Sequence, residues 1–393
     1  MIRIQNIPLP VGGSLEQLRR KAARTLGLRP GALKQVRLVR QSIDARKKQD
    51  VHYVYTLDVE VEQEEAVLSA CTARNVSLVH PVPYAFPEVK RRSTNMPVVA
   101  GMGPAGLFAA LFLARNGIPC VVLERGQDVD TRTKDVERFW KDGTLDPSSN
   151  VQFGEGGAGT FSDGKLTTGT HDPRIAAVMD ALIEAGAPED VKWSHKPHIG
   201  TDILRQVVKT IRQELISLGC DVRFGSCLTG LEHSGGQLSG IWVEGPEGRY
   251  RLDCDALVLA PGHSARDTFR MLEQEGVPME QKSFAIGVRI EHKQKLISQA
   301  QYGPFWDQLP PTDYKLACHL PNGRSAFTFC VCPGGHVVAS ASEPGQLVTN
   351  GMSYRSRDGE NINGGFLVGV GPEDFQTFGA DPLAGVRFQE QWE

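Results

Sequence analysis

The segment MPVVAGMGPAGLFAALFLARNGIPCVVLERG, residues 96–126, decides how the chain folds. Its apolar runs predict strands at 97–100 and 119–123, and the stretch between them predicts a helix at 104–116. The glycine pattern G-x-G-x-x-G fills residues 101–106, where the first strand turns into the helix. The order strand, glycine turn, helix, strand predicts a βαβ unit and therefore a parallel sheet.

Each glycine of this turn has a separate task in dinucleotide binding. Gly101 makes the tight turn, Gly103 lets the backbone approach a pyrophosphate, and Gly106 permits close packing of the helix on the strand. Pro104 and Ala105 open the helix, whose first N–H groups and partial positive charge favour phosphate. The turn therefore predicts a dinucleotide site.

An acidic residue closes the second strand. Glu124 lies 18 residues after Gly106, and we expect its carboxylate to accept hydrogen bonds from the adenosine ribose hydroxyls. Arg125 follows it, and we expect it to contact the same cofactor. With strand, helix, second strand and terminal acid in register, dinucleotide binding is favoured over a coincidental glycine turn.

The elements after residue 126 distinguish FAD from NAD. About 75 residues pass before the next clear helix, at 201–218, where an NAD-dependent enzyme would continue with regular βαβ units. A strand, a three-stranded meander and a last buried strand follow, ending at Ala260-Pro261-Gly262. That order resembles the FAD-binding domain of the large two-domain flavoprotein superfamily, which usually has Thr in place of Pro261. The resemblance implies a Rossmann-like three-layer α/β domain with an antiparallel β meander, and it implies FAD contacts at Ala260 and Gly262.

A glycine-rich loop, SNVQFGEGGAGTFSDGKLTTG at residues 149–169, lies within the long crossover. Its six glycines in 21 positions predict backbone that turns with positive φ or closely approaches another group. We expect this loop to run against the flavin ring and the ribityl chain. The residues expected to contact the cofactor are Gly154, Gly156, Gly157, Ser162, Asp163, Gly164 and Lys165.

Two side chains are candidates for catalysis. Lys165 would stabilise the negative charge that develops on the flavin ring after hydride transfer, although a lysine bonded to Asp163 or to water is an equal alternative. His263 directly follows Ala260-Pro261-Gly262, the second fingerprint of this superfamily, and would donate a proton at the carboxyl edge of the sheet. The alternative for His263 is a bystander beside a helix cap formed by Ser264.

Other polar residues carry weaker hypotheses. Arg266 and Arg289 are candidates to hold an anionic substrate, but surface ion pairs are commoner. His195 and His198 lack a third ligand nearby, so no metal is expected.

The glycine pattern and the cysteine spacing each argue against one kind of flavoprotein chemistry. The pattern G-x-G-x-x-G recurs only as GEGGAG at residues 154–159, where no predicted strand precedes it, so a separate NAD(P)H domain is not expected. The eight cysteines show no C-x-x-C spacing, which argues against a disulfide that takes electrons from a flavin and favours buried thiols. Cys330 and Cys332 are expected to share one face of a strand.

The first 82 residues predict a different kind of module, a small α+β ferredoxin-like domain in the order βαββαβ. Residues 1–100 hold 16 Lys and Arg against 9 Asp and Glu. RNA binding through residues 1–90, with Tyr53 and Tyr55 as stacking residues, is possible but disfavoured, because the RNP1 pattern is absent. The basic candidates are Arg19, Arg20, Lys21, Arg24, Arg46, Lys47 and Lys48.

The chain resembles, from its first residues to its last, the bacterial FAD-dependent dehydrogenases labelled NAD(FAD)-utilising dehydrogenases. The resemblance is carried by LVRQSIDARKK, VVAGMGPAGLFAAL, SNVQFGEGGAGTFSDGKLTT and ALVLAPGHSARDTF. It implies an FAD-dependent oxidoreductase that moves a hydride or electrons to or from a small molecule, with NAD(P)H as a possible transient donor. Such flavoproteins usually carry a late Gly-(Asp/Glu)-Gly-x-Gly motif. None follows residue 340, so we expect a C-terminally shortened member, and a flavin-dependent RNA-modifying protein or a cofactor-free remnant stay open as alternatives.

The expected boundaries are a ferredoxin-like domain at 1–82, a linker at 83–96, an FAD-binding domain at 97–265 with a crossover insertion at 127–199, and an incomplete substrate-facing region at 266–393. No apolar stretch approaches the ~20 residues that span a bilayer. The first residues lack the pattern of a signal peptide. A cytoplasmic protein without a membrane partner is therefore expected.

Overall fold

The computed structural model describes residues 1–87 and 93–393, so residues 88–92 of the expected linker lie outside the described part. The chain divides into two compact units. The first unit comprises Met1–Phe86, Lys165–Ile199 and His292–Asp313, and the second comprises Pro87–Gly164, Gly200–Glu291 and Tyr314–Glu393.

The helices and strands are numbered in chain order. The helices are α1 (Leu15–Thr25), α2 (Glu64–Ala70), α3 (Pro104–Arg115), α4 (Val129–Asp142), α5 (Arg174–Glu184), α6 (Thr201–Ser217), α7 (Arg266–Gln274), α8 (Gln294–Tyr302), α9 (Pro372–Phe375) and α10 (Ala384–Trp392). The strands are β1 (Ile2–Pro10), β2 (Gln35–Asp44), β3 (His52–Glu60), β4 (Val76–Leu78), β5 (Val98–Ala100), β6 (Val121–Leu123), β7 (Asp221–Arg223), β8 (Cys227–Ser234), β9 (Gln237–Gly245), β10 (Gly248–Asp253), β11 (Leu257–Leu259), β12 (Phe284–Lys293), β13 (Ala317–His319), β14 (Ser325–Cys332), β15 (His336–Ala339), β16 (Thr349–Met352) and β17 (Asn361–Val370). Within the described residues, no helix combines the length and the apolarity needed to cross a membrane.

The first unit is built on an antiparallel sheet in the order β2-β3-β1-β4. Together with α1 and α2, these strands follow the predicted order βαββαβ. Apolar side chains of β1 and β3 meet one face of α1 in a core that includes Ile4, Leu18 and Leu57. The α+β ferredoxin-like fold predicted for this part of the chain is confirmed.

Tyr55 is part of that core, which contradicts its predicted role as a stacking residue. Its side chain is 6% exposed, and its hydroxyl accepts a hydrogen bond from the Gln41 side-chain amide at 2.8 Å. Tyr53 is half-buried against the same apolar cluster. Because a base needs an open ring face to stack, the buried ring of Tyr55 is not available for stacking.

Part of the basic surface of this unit serves its own structure. Lys21 Nζ donates a hydrogen bond to the carbonyl of Pro8 at 2.6 Å. The guanidinium of Arg46 pairs with the carboxylate of Asp44, with Nε 3.0 Å from Oδ1. These charges are satisfied within the unit, and their presence does not by itself require a polyanionic partner.

The second unit is organised around the parallel sheet β11-β5-β6-β7. On one face, Val98 and Ala100 join Ile241 of the antiparallel sheet β10-β9-β8 in a common core. On the other face, Val99 lies close to Gly106 of α3, which also packs against α6. Helices, parallel sheet and meander form three layers, and the predicted Rossmann-like α/β architecture is confirmed.

The long crossover after β6 is more helical than predicted, because α4 and α5 precede α6. Asp128 caps α4 by accepting hydrogen bonds from the backbone N–H groups of Asp130 and Thr131, at 3.0 and 3.4 Å. Gly143 ends the helix in the left-handed conformation, with φ of 78°. The apolar pattern of α4 is obscured because Arg132 occupies one of its buried positions. Asp128 and Gly143 are the signals that would have revealed the helix.

A second sheet in this unit, β12-β17-β14-β13, contains a bulge. Cys330 adopts a positive φ of 45°, and the register of β14 against β17 shifts between Phe329 and Cys332. The bulge interrupts the regular alternation of side chains. The prediction that Cys330 and Cys332 share one face of a regular strand is therefore wrong.

The aromatic cluster beside this sheet yields a stability prediction. Phe375 is fully buried, and its ring centroid lies 5.0 Å from that of Phe284 and 5.3 Å from that of Phe388. We expect Phe375→Ala to lower the free energy of unfolding by ~3–5 kcal/mol, measured by urea denaturation, because it leaves a large cavity. Phe366→Ala is the control, because Phe366 is 44% exposed. Equal losses in the two variants would contradict this account of the core.

Candidate cofactor site

A cavity of about 290 Å³ opens at the carboxyl ends of β5, β6 and β11. Ligands bind at this edge in open α/β sheets. Five segments line the cavity. They are the G-x-G-x-x-G turn at residues 101–106 (the fingerprint turn), the end of β6, the glycine-rich loop, the start of β8 and the segment after β11. The cavity therefore brings together segments that are far apart in the sequence.

Gly101 and Gly106 are required by the packing of the fingerprint turn itself. A Cβ on Gly101 would lie 2.1 Å from the carbonyl oxygen of Ala260, and its φ is +103°. A Cβ on Gly106 would lie 1.8 Å from the carbonyl oxygen of Gly101. A side chain at either position would push the neighbouring backbone away. These two glycines therefore permit the close packing of α3, β5 and the segment Ala260-Pro261-Gly262.

Gly103 differs, because it lies against open space. Its φ of −70° and ψ of −178° are accessible to any residue. The nearest atom to an added Cβ would be Gly157 Cα, at 3.8 Å. Gly103 also lines the cavity. The space that a side chain would occupy is therefore space that a ligand can use, which fits a pyrophosphate seated close to the backbone.

The first turn of α3 supplies the electrostatics for such a ligand. Gly103 is the N-cap and offers no side chain to satisfy the first N–H groups, and Pro104 follows at the first helical position. Both residues line the cavity. A helix N-terminus with open amides carries partial positive charge, so this edge of the cavity favours an anionic group.

Glu124 joins the fingerprint to the glycine-rich loop. Its carboxylate accepts hydrogen bonds from the backbone N–H groups of Met102, Gly126 and Gly154, at 2.8, 2.9 and 3.0 Å. A carboxylate offers about four acceptor positions, and these backbone groups fill three of them. Glu124 is 5% exposed and lines the cavity. These structural contacts were not predicted from the sequence, and the ribose contact of Glu124 stays a prediction.

The side chain of Arg132, a residue of α4 that the sequence pattern does not single out, is surrounded by the glycine-rich loop. Its guanidinium donates hydrogen bonds to four backbone carbonyls, those of Asn150, Val151, Glu155 and Gly157, at 2.6 to 3.0 Å. The side chain is fully buried, and burial lowers its pKa to about 10. It therefore remains charged at neutral pH, and the loop folds around it.

Several glycines of the loop lie so close to neighbouring atoms that a side chain would not fit. A Cβ on Gly154, whose φ is +122°, would lie 2.3 Å from Cδ of Arg132. A Cβ on Gly157, whose φ is +62°, would lie 2.9 Å from Cα of Gly103. Gly156 adopts a φ of +80° beside Thr160. The surplus of glycine thus reflects a loop packed on a buried guanidinium on one side and on the fingerprint turn on the other.

A second ion pair fixes the end of the loop. Asp163 is fully buried, and both of its carboxylate oxygens pair with Arg357, with Nε 3.1 Å from Oδ1. Its backbone carbonyl accepts a hydrogen bond from the N–H of Gly200 at 3.2 Å. The structure thus engages Asp163 with an arginine that the sequence gave no signal to find.

The structure gathers most of the predicted cofactor residues. Those that line the cavity are Gly101, Gly103, Pro104, Glu124, Arg125, Gly154, Gly157, Ala260, Gly262 and His263. Those outside its lining are Ala105, Gly106, Gly156, Ser162, Asp163, Gly164 and Lys165. Lys165 belongs to the first unit, where its backbone forms a β-bridge with His198. Its expected contact with the flavin stays a prediction.

Arg125 is held in place by neighbours on the wall of the cavity. Its guanidinium lies 4.4 Å from the ring centroid of Phe153. It donates to both carboxylate oxygens of Asp267 at 3.0 Å and to Oγ1 of Thr268 at 3.0 Å. This arrangement combines a cation–π contact with a bidentate ion pair, and it leaves little of the guanidinium free to meet a phosphate.

His263 is exposed at the cavity. Partial desolvation and the nearby Arg266 guanidinium lower its pKa, so the neutral imidazole dominates at pH 7. The alternative in which Ser264 caps the next helix is wrong, because the N-cap of α7 is Ala265 and makes no side-chain hydrogen bond. A neutral His263 is suited to donate or accept a single hydrogen bond.

Two arginines proposed for an anionic substrate are engaged by the protein. Arg266 is 7% exposed and pairs with the carboxylate of Glu393 at 2.8 Å. Arg289 donates to the carbonyl of Cys330 at 3.1 Å and to Oδ1 of Asn363 at 2.5 Å. Both guanidinium groups stabilise the fold of the second unit through internal contacts.

The histidines considered for a metal site have other surroundings. Nδ1 of His195 lies 2.9 Å from Nη2 of Arg40, and burial lowers the pKa of this imidazole. In the part of the chain that the structure describes, no three His, Cys, Asp or Glu side chains are placed to hold a metal ion.

Sequence comparison places the chain among known proteins. An uncharacterised protein of Clostridium beijerinckii is 47% identical over 400 residues, which cover 100% of this chain and 73% of that protein. The chain belongs to the same family as this clostridial protein. A family model described as "FAD-dependent protein, C-terminal domain-like" matches residues 283–393, and a domain of unknown function matches residues 1–60. The first of these matches agrees with the predicted relation to FAD-dependent proteins.

Solved structures with a similar fold are more distant. A flavin-dependent brominase is 12% identical with a TM-score of 0.38, and the match covers 75% of this chain and 62% of the brominase. A flavoprotein/dehydrogenase from Cytophaga hutchinsonii is 14% identical with a TM-score of 0.35, and the match covers 74% of this chain and 60% of that protein. In both cases the chain spans less than two thirds of the protein it resembles.

The contacts of Arg132 predict what its removal does. We expect Arg132→Met to lower the free energy of unfolding by more than ~3 kcal/mol, because buried carbonyls that lose their donor cost about 1–3 kcal/mol each. Chymotrypsin should then cleave the native chain at Phe153 or Phe161. Arg138→Met is the control, since Arg138 is on the same helix with a side chain 47% exposed. A protease-resistant loop in Arg132→Met would contradict the role given to the guanidinium.

Proposed function

We propose that the second unit binds FAD in the cavity at the carboxyl ends of β5, β6 and β11, and that the protein is an FAD-dependent oxidoreductase acting on a small molecule. The observation that carries the proposal is the pairing of Gly103, open to the cavity, with Glu124, which lines the same cavity. A dinucleotide needs a phosphate contact and a ribose contact at this spacing.

The chain's own residues divide the work of binding. The first turn of α3 would receive the pyrophosphate, and Glu124 would receive the ribose hydroxyls. The loop around Arg132 would hold Gly157 against Gly103, so that backbone amides line the phosphate path. When bound, the flavin supplies the hydride or electron transfer, and the protein contributes orientation and electrostatics.

The proposed cofactor fits the donor set of the cavity. Its lining is mostly backbone and small side chains, with one carboxylate and one arginine that is already paired. A volume of about 290 Å³ lies near the lower end of the ~300–1,000 Å³ found for small-molecule pockets. We infer that this cavity receives the nucleotide part of the cofactor rather than the whole of it.

Several finer expectations stay predictions. They are the label NAD(FAD)-utilising dehydrogenase, the use of NAD(P)H as donor, the flavin contact of Lys165, the domain boundaries and the shortened C-terminus. We keep the small-molecule substrate as the leading hypothesis. The family match supports FAD-dependent chemistry and leaves the substrate open.

The open position of Gly103 gives the sharpest test of FAD binding. We expect Gly103→Val to weaken FAD binding by on the order of 100-fold, about 2.8 kcal/mol at 1.4 kcal/mol per tenfold. The reason is that its side chain extends into the proposed pyrophosphate position, where the nearest protein atom to the added Cβ is Gly157 Cα at 3.8 Å. Flavin fluorescence during titration of the apoprotein measures the Kd.

A matched control separates binding from folding. Gly169→Ala adds a methyl group where no atom lies within 4 Å, and Gly169 is outside the cavity lining. Both variants should unfold at the temperature of the unmodified apoprotein. Undiminished FAD affinity in a folded Gly103→Val would refute the proposed phosphate position.

The proposed role of His263 in general acid–base catalysis can be tested separately from FAD binding. We expect His263→Gln to retain FAD and to lower the turnover number by ~10²-fold or more, because general acid–base catalysis contributes about that much. Turnover is followed as oxidation of whichever of NADH and NADPH reduces the bound flavin. His233→Gln serves as the matched control, because His233 is exposed in the same unit and lies outside the cavity lining. Unchanged turnover in His263→Gln would make this histidine a bystander.

A further inference from the structure

Two cysteines that play no part in the cavity lie side by side in the parallel sheet of the second unit. Cys120 directly precedes β6, and Cys220 directly precedes β7. These strands are neighbours, with Val121 opposite Asp221, and the N–H of Asp221 donates to the carbonyl of Cys120 at 3.0 Å. The two cysteines therefore continue the register of the ladder by one residue, 100 positions apart in the sequence.

Their side chains meet. The Sγ atoms lie 3.7 Å apart, and the N–H of Cys120 also approaches Sγ of Cys220 at 3.4 Å. Neighbouring strands are about 4.7–4.9 Å apart, within the ~4.4–6.8 Å between Cα atoms that a disulfide spans. Bond formation requires the sulfur atoms to approach by about 1.7 Å, which rotation of the two side chains can supply.

The two thiols are chemically unequal. Sγ of Cys220 accepts a hydrogen bond from the backbone N–H of Cys120. The contact between the two thiols, together with this hydrogen bond, lowers the pKa of Cys220 to about 7 against the opposing effect of burial. The same contact and burial raise the pKa of Cys120. Cys220 is thus the nucleophile of the pair, and Cys120 is the thiol placed to resolve an oxidised Cys220.

We propose that Cys120 and Cys220 are a peroxide-oxidisable pair that forms a disulfide between β6 and β7. Sγ of Cys220 attacks one oxygen of hydrogen peroxide, the O–O bond breaks, and a sulfenic acid and one water result. Sγ of Cys120 then attacks Sγ of Cys220, the S–S bond forms, and the sulfenic oxygen leaves as a second water with the thiol proton. Two thiols lose two electrons, and one peroxide gains them.

Cys120 and Cys220 lie at the amino ends of β6 and β7. The pair is therefore distinct from the disulfide that would take electrons from a flavin, which the cysteine spacing argues against. The cavity lies at the carboxyl end of β6. The strands nevertheless connect the two, since the N–H of Glu124 after β6 donates to the carbonyl of Arg223 in β7 at 2.9 Å. A disulfide would fix the register of the strands that carry Glu124.

Peptide mapping of the unmodified chain tests the proposal. The protein is reduced, desalted, treated with hydrogen peroxide, unfolded in iodoacetamide and digested without reductant. We expect two of the eight thiols to be lost and one cross-linked peptide pair to join Cys120 with Cys220, released by dithiothreitol. A cystine that joins other residues, or oxidation of either cysteine without this cross-link, would overturn the proposal.

Three variants test the order of attack. Cys120→Ser should leave Cys220 as a sulfenic acid that dimedone traps, whereas Cys220→Ser should leave Cys120 unoxidised. Cys254→Ser is the matched control, because Cys254 is fully buried in the same unit and its thiol donates to the carbonyl of Ala256 at 3.3 Å. This control should keep the cross-link. Dimedone labelling of Cys120 in Cys220→Ser would reverse the assigned roles, and the peptide map of the unmodified chain holds if a serine variant does not fold.

Discussion

The buried guanidinium of Arg132 is the contact on which the second unit's cavity depends. A charge out of water is costly unless every donor finds an acceptor. Here four carbonyls of one loop supply the acceptors, and the ring of Phe161 lies 4.7 Å from the guanidinium carbon. The carboxylates of Glu124 and Glu155 favour the charged form electrostatically. In this conformation the loop satisfies the charge and forms a wall of the cavity.

Glu124 completes the arrangement from the opposite side. It collects three backbone N–H groups, from the fingerprint turn, the end of β6 and the loop. Arg132 collects carbonyls and Glu124 collects amides, so a cation and an anion orient the two kinds of backbone dipole around the same space. Gly154 follows from this, because a Cβ on it would lie 2.3 Å from Cδ of Arg132.

Sequence alone was sufficient where a local pattern has one structural solution. The fingerprint predicted β5, α3 and β6 to within two residues at each end, because glycine spacing and apolar runs are local properties. Sequence alone was insufficient where a residue of a usually exposed type is buried. Arg132 occupies a core position of α4 and hid that helix, and Tyr55 lies in a core although its spacing suited a binding surface. The partner of Asp163, Arg357, is 194 positions away and has no local signal.

The cavity also shows how a phosphate group can be accommodated without a free cation. Among the described residues that line it, Arg125 carries the permanent positive charge, and Asp267 already neutralises that charge. The positive potential at the other end of the cavity comes from the amides of α3, which act only on a group that reaches the backbone. Gly103 is therefore the residue to which we assign the proposed phosphate contact. Gly101 and Gly106 build the turn, whereas the missing side chain of Gly103 leaves the amides accessible.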